Sequence, residues 1–346
     1  MVFLELRRRR RERALHRSRH RWGKRLSLAA RRRFRPLLDG GEFFRWHAPA
    51  IFGIAEARPR RLLLGALAQL RDVVIRRRRK VVLDFARTQK MYSEGTLLFL
   101  AEVRRLIRYS DGAANLTTLV PANRKVAQVL EQIGFFRLLG VTCPVQPEDD
   151  DVIYWRHAHG QSVDGAKYED VLSEYDGQIA ESLQTMLYKG VSEAMTNVVN
   201  HAYSAPRKDG LAWKTERDWW LFSQEKDGIL SVVFCDLGAG IPGTLPDKKP
   251  ELWRRIVMKG RHQDGNAIKY AVHDSVTRTR QSHRGKGLGQ IVKVIQDLPG
   301  AHVAIHSNAG AILRRPTGGT KVMEYPDSIL GTLINWMIPL PGKESL

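Results

Sequence analysis

The chain has 346 residues, of which 57 are Lys or Arg and 36 Asp or Glu, giving a net charge of +21, with 43% hydrophobic and 8% aromatic content. That length accommodates two ordinary domains, and the apolar content is that of a chain that folds rather than one that stays disordered. Its two cysteines, Cys143 and Cys235, form no CxxC pair, which argues against a disulfide framework or zinc centre; the longest apolar runs, such as "LLLGALAQL" at 62–70, fall short of a bilayer's width.

Residues 1–36 hold 15 basic side chains against Glu5 and Glu12, a balance of +13. No apolar core of secretory-signal length lies within them, so export is not expected, and a reducing, cytoplasmic compartment is. The segment reads as a basic arm over 1–40 for an anionic partner: nucleic acid, a membrane surface or an acidic protein. A merely solvated tail and an organelle presequence are the alternatives.

A first α/β section is expected over 41–145. "KVVLDFA" at 80–86 is a β-branched run suited to a buried strand, and "SEGTLLFLAEVRRLIRYS" at 93–110 is a helical pattern that Ser93 could cap. "LTTLVP" at 116–121 reads as a further strand, and "NRKVAQVLEQIGFFRLLG" at 123–140 as a second helix closed by glycine. The β-α-β-α order predicts helices packed on a sheet. This succession resembles a STAS domain, the fold of anti-sigma-factor antagonists. There a phosphorylatable serine precedes the glycine of the strand-to-helix turn. In the matching "YSEG" turn at 92–95 Glu94 takes that place and Ser93 lies one position early, which puts phospho-switching in doubt.

The acidic stretch "QPEDDD" at 146–151 opens an expected linker over 146–164, and a second α/β section fills 165–346. Within it, "VSEAMTNVVNHAY" at 191–203 sets an apolar stripe (Val191, Met195, Val198, Ala202) opposite Glu193, Asn197, Asn200 and His201 at helical spacing. Mid-helix Asn is a poor helix former, so two of them invite a functional explanation beside that of a solvated face. "ILSVVFCDLGAGIPGTLP" at 229–246 is a β-rich run that ends on Asp236, followed by Gly238 and Gly240. "SHRGKGLGQIVKVIQDL" at 282–298 is a glycine turn opening a helix, an arrangement that offers backbone N–H groups to phosphates.

In this order, "EAMTNVVNHAY", "DLGAGI" and "RGKGLG" resemble the three motifs of the GHKL ATP-binding fold of gyrase, sensor histidine kinases, large heat-shock chaperones and mismatch-repair ATPases. The Glu-Ala-x-Thr-Asn-x-x-x-His helix is most similar to the anti-sigma-factor serine kinases. The resemblance implies a C-terminal α/β sandwich of the Bergerat type after a smaller STAS-like α/β domain, with ATP and Mg²⁺ as ligands. It implies Asn197 as the Mg²⁺ ligand and Glu193 as general base. Asp236 would accept from the adenine amino group, Gly238 and Gly240 would make room for the base, and Ile241 would pack nearby. Gly285, Gly287 and Gly289 would form a phosphate loop flanked by Arg284 and Lys286 and anchored by Leu288. Thr332, at the start of the strand "TLINWMIP", would reach toward adenine, in competition with "GGT" at 318–320. Asn200 and His201 would face the same site.

Residues 243–284 would form a nucleotide lid bearing Lys259, Arg261, Lys269, Arg278, Arg280 and Arg284. "HDSVT" at 273–277 imitates a phosphoacceptor-histidine site but falls inside that lid. No transducer lysine follows the ATP motifs, so slow hydrolysis is expected. Three readings stay open: an ATPase or serine kinase that switches a protein partner, a nucleotide-gated nucleic-acid protein that dimerises, and an ATP-binding regulator without turnover.

Overall fold

The computed structural model describes residues 43–110, 116–175, 179–211, 216–258, 263–278, 287–317 and 319–340. The basic arm, the lid cations Lys259, Arg261, Arg280 and Arg284, and Gly285, Lys286 and Gly318 lie outside the described residues, and so do the expectations placed on them. The chain is mixed α/β. Among the described residues no helix is long and apolar enough to cross a membrane.

In the first section, β1 (Phe44–His47), β3 (Val81–Asp84) and β5 (Leu116–Thr118) form a parallel sheet in the order β1-β3-β5, beside a short parallel pair, β2 (Ile51–Phe52) and β4 (Lys90–Met91). Four helices accompany them: α1 (Ala57–Arg71), whose last turn widens over Asp72–Arg76, α2 (Ser93–Tyr109), α3 (Arg124–Gln132) and α4 (Phe135–Leu139). The expected single helix over 123–140 is therefore two. Gly134 at φ +69° breaks it, because a left-handed residue cannot continue a right-handed helix. Ser93 does not cap α2 either. Tyr92 holds the cap position without a side-chain bond, and the Ser93 hydroxyl instead meets Ser231 Oγ at 3.0 Å.

The second section is built on a seven-stranded antiparallel sheet. Its strands are β6 (Arg156–Gly160), β7 (Trp219–Lys226), β8 (Ile229–Asp236), β9 (His302–Ser307), β10 (Gly310–Arg314), β11 (Thr320–Glu324) and β12 (Thr332–Pro339), in the order β11-β10-β9-β12-β8-β7-β6. The segment expected to be a linker, 146–164, supplies a short helix, α5 (Asp150–Ile153), and the edge strand β6, paired with β7 from Arg156↔Ser223 to Gly160↔Trp219. Six further helices are α6 (Gly165–Leu172), α7 (Glu181–Asn197), α8 (Gly240–Lys248), α9 (Pro250–Met258), α10 (Asp264–Arg278) and α11 (Gly287–Lys293).

Successive strand residues point to opposite sides, and here both sides are dry. Trp219, Leu221, Leu230, Val232, Phe234, Ile334 and Trp336 pack with α7 and α11 in one core. Trp220, Phe222, Val233, Cys235 and Leu333 join the core of the first section on the other. Helix α2 lies against β7, β8 and β12 as well as on its own small sheet. That double burial explains why every residue from Ser93 to Val103 is buried. Gly95 permits the contact between α2 and β2, since a Cβ there would lie 2.5 Å from the Phe52 carbonyl carbon.

Candidate functional site

Helix α7 and the turn after it bury three members of the predicted stripe, Val191, Met195 and Val198, to at most 1% exposure, whereas the fourth, Ala202, is half-buried and lines the cleft. After Asn197 the backbone widens into a π-type turn over Val198–Ala202. The extra residue rotates the side chains of that turn relative to those before it. His201 still lines the cleft, whereas Asn200 is exposed and lies outside its lining, so the expected grouping of Asn200 with Glu193 does not form.

The cleft holds about 720 Å³ and lies between α7, the C-terminal end of β8, the start of β12 and the helices α8, α10 and α11. Glu193, Asn197, Asp236, Gly240, Ile241, Gly287, Leu288 and Thr332 all line it. Three stretches far apart in sequence thus meet because β8 and β12 are neighbours with Thr332 opposite Asp236, and because α11 packs along α7. The volume falls within the ordinary range for small-molecule sites.

At one end, Asp236 is buried, and its Oδ1 accepts from the Gly238 N–H at 2.9 Å. Burial pushes its carboxyl up to about 6, against the opposing pull of Gly238 and Thr332. Thr332 Oγ1 lies 3.1 Å from Ser307 Oγ, which also accepts from the Ile241 N–H at 2.8 Å. The two glycines serve the protein more than an open space. A Cβ on Gly238 would sit 2.3 Å from the Ala202 carbonyl oxygen, and Gly240, at φ +78°, would place one 2.7 Å from the Asn308 amide. Of the two, Gly240 lines the cleft and Gly238 does not. They let the turn after β8 lie against the end of α7 and against Asn308, where Ala239 N–H donates to Ala202 O at 2.8 Å.

At the other end, Asn197 Nδ2 donates to Glu193 Oε1 at 3.3 Å. Burial raises the Glu193 carboxyl above its usual range, partly offset by that bond. The bond also orients the amide, with Nδ2 toward Glu193. Gly287 packs directly on this pair, since a Cβ there would lie 2.8 Å from Glu193 Oε1. Leu288 packs against the cores on both sides of it, and the Gly289 N–H donates to Ser275 Oγ of α10 at 3.1 Å. Gly289 thus ties α11 to α10 rather than facing the cleft.

Sequence reading missed three cleft cations, Lys189, Lys248 and Lys249; Lys249 pairs with Asp274 at 2.8 Å, and Lys189 and Lys248 are exposed. A signal for two of them was available: "DKK" at 247–249 comes about two helical turns into the helix that follows Asp236. Of the lid cations expected, Lys269 is exposed and outside the cleft lining. Among the described residues no three His, Cys, Asp or Glu side chains cluster as a metal cage. A Mg²⁺ ion sharing substrate phosphates asks for less, one or two protein oxygens completed by phosphate and water, and Asn197 with Glu193 fits that demand. No family model, no curated protein and no solved structure matches this chain.

Proposed function

We propose that the chain is a Mg-ATP-binding protein of the GHKL type, with a Bergerat-like ATP section docked on a STAS-like section and acting as a slow ATPase or serine protein kinase that switches a protein partner. One observation carries the reading: the side chains that the three motifs single out for a nucleotide line one cleft of about 720 Å³. Asp236 accepts from the exocyclic amino group of adenine, with Thr332 and Ser307 holding its surroundings. Asn197 would present its oxygen to a bound Mg²⁺, which would neutralise phosphate charge. Glu193 takes the proton from the attacking water or hydroxyl, and its raised pKa suits a base working near neutral pH. Lys248 and Lys189 bring positive charge to the open side of the cleft, where phosphoryl transfer needs it. A reducing, ATP-rich cytoplasm suits such a chain, whose Cys143 and Cys235 are both unbridged.

The test is calorimetric titration with ATP and ADP, with and without Mg²⁺, and then release of labelled γ-phosphate. Glu193→Gln is expected to bind nucleotide at near-parent affinity and to lose turnover by about 100-fold or more. Asn197→Ala is expected to lose the Mg²⁺-dependent part of the affinity. Absence of heat with either nucleotide would overturn the proposal.

A further inference from the structure

We infer that the surface formed by Arg76–Lys80, together with Phe43 and Phe44, is a docking site for a nucleic-acid backbone, independent of the nucleotide cleft. Five cations in succession, Arg76, Arg77, Arg78, Arg79 and Lys80, join the widened end of α1 to β3. Arg76 and Arg77 are 63% and 61% exposed and share one carboxylate, Asp72. Arg78 is exposed and has no carboxylate partner among the described residues.

The backbone at Arg78 supplies an independent argument. Its φ is +48°, in the left-handed region, just past the turn where Arg77 N–H bonds Asp72 O and Arg79 N–H bonds Val73 O. Glycine or asparagine ordinarily fills the position after a helix that adopts this conformation. An arginine there works against the fold, and its side chain must be wanted for something else. Exposed and with no carboxylate partner among the described residues, it offers a planar fork suited to phosphate.

Two aromatic rings border the run. The Lys80 ammonium lies 5.8 Å from the Phe43 ring centroid and the Arg79 guanidinium 5.9 Å from that of Phe44. Phe44 N–H also bonds the Lys80 carbonyl at 2.9 Å. Cations interleaved with aromatic faces suit phosphodiesters and bases. A lipid surface would ask for an apolar anchor as well. Among the described residues, none of the large apolar side chains that lie exposed belongs to 43–47 or 72–80.

The test uses the full chain and a 20-base-pair DNA duplex of arbitrary sequence, monitored by fluorescence anisotropy between 50 and 300 mM salt, with sedimentation on phosphatidylserine vesicles in parallel. Losing one phosphate contact lowers the log–log salt slope by about 0.9 and the affinity at 0.1 M salt by about eightfold. Arg78→Gly is expected to show that loss while unfolding at an equal or higher temperature, because glycine relieves the backbone. Adding Lys80→Gln is expected to bring the loss to about sixtyfold. The proposal is overturned if the double variant binds duplex like the parent, if the parent does not bind duplex, or if vesicles capture it more tightly than duplex at equal salt. Each result is read without ATP and so stands apart from the fate of the nucleotide proposal.

Discussion

At the scale of single residues, Asp236 joins the burial of a carboxyl to the proposed recognition of adenine. Its ionised form accepts from an amino group more strongly than the neutral acid does, and burial holds its pKa at about 6. Nucleotide affinity is therefore expected to be flat above neutral pH and to fall as pH drops below 6, by at most about tenfold per unit. Titrations of ADP between pH 5 and 8 check this, and Asp236→Asn should bind weakly with no such slope. The stability linkage has the opposite sense. A carboxyl raised in the folded state costs stability once it ionises, so Asp236→Asn should melt higher than the parent above pH 6. Ser93 illustrates a different residue-level outcome. Its hydroxyl is sealed between Glu94 and Ser231, whose own hydroxyl donates to Asn335 Oδ1 at 3.0 Å, and no kinase can reach it while the two sections are docked.

At the scale of elements, the turn after β8 is held both by side chains, among them Asp236, Ser307 and Asn308, and by close backbone contact with Ala202. Gly238→Ala would push a methyl to within 2.3 Å of a carbonyl oxygen that cannot swing aside. The substitution is expected to cost about 1–3 kcal/mol and to weaken nucleotide binding, since the Ala239–Ala202 bond must lengthen. Gly65, inside α1, has nothing within 4 Å of its would-be Cβ, so Gly65→Ala should stabilise by about 0.5–1 kcal/mol. Thermal melts of the pair should move in opposite directions. Elements with a strong period were legible in the sequence: β3 and β8 as unbroken apolar runs, α2 and α7 by their spacing. The break at Gly134, the widened turn at Val198–Ala202 and the strand β6 were not. The first two hang on one dihedral or one extra residue, and "RHAHG" has neither the branching nor the alternation of a strand; it pairs because β7 offers a free edge. The eight cleft-lining positions were legible because their residue types, a carboxylate and an amide on one helix face and glycines at two turns, depart from those that packing alone selects. Lys248 and Lys249 were lost among many lid cations.

At the scale of the whole molecule, the two sections are cemented by charge as well as by apolar contact. Glu102 of α2 is 1% exposed and meets Arg207 of the second section and, at 3.0 Å, Arg71 of α1. Burial alone would raise its carboxyl, but Arg207 and Arg71 hold it down to about 2. Its contribution is thus full above the ordinary carboxylate range and is lost as pH falls from about 4.5 toward 2. Glu102→Leu would take from Arg71 its carboxylate and leave the buried Arg207 with Asp209 alone, and is expected to cost about 3 kcal/mol. Because the cores are continuous, urea should unfold the parent in one transition seen alike by tryptophan fluorescence and circular dichroism. Two separated transitions would show that the sections fold alone.

The linear order of the chain conceals how the sheet closes. Strand β12 comes after all the others in sequence yet lies between β8 and β9. On the ribosome, then, the centre of the sheet is filled after its flanks, and a nascent chain halted before residue 332 displays two bare strand edges and lacks Thr332. Such fragments would be sticky and would lack one wall of the cleft, so the cleft first exists once β12 has been made.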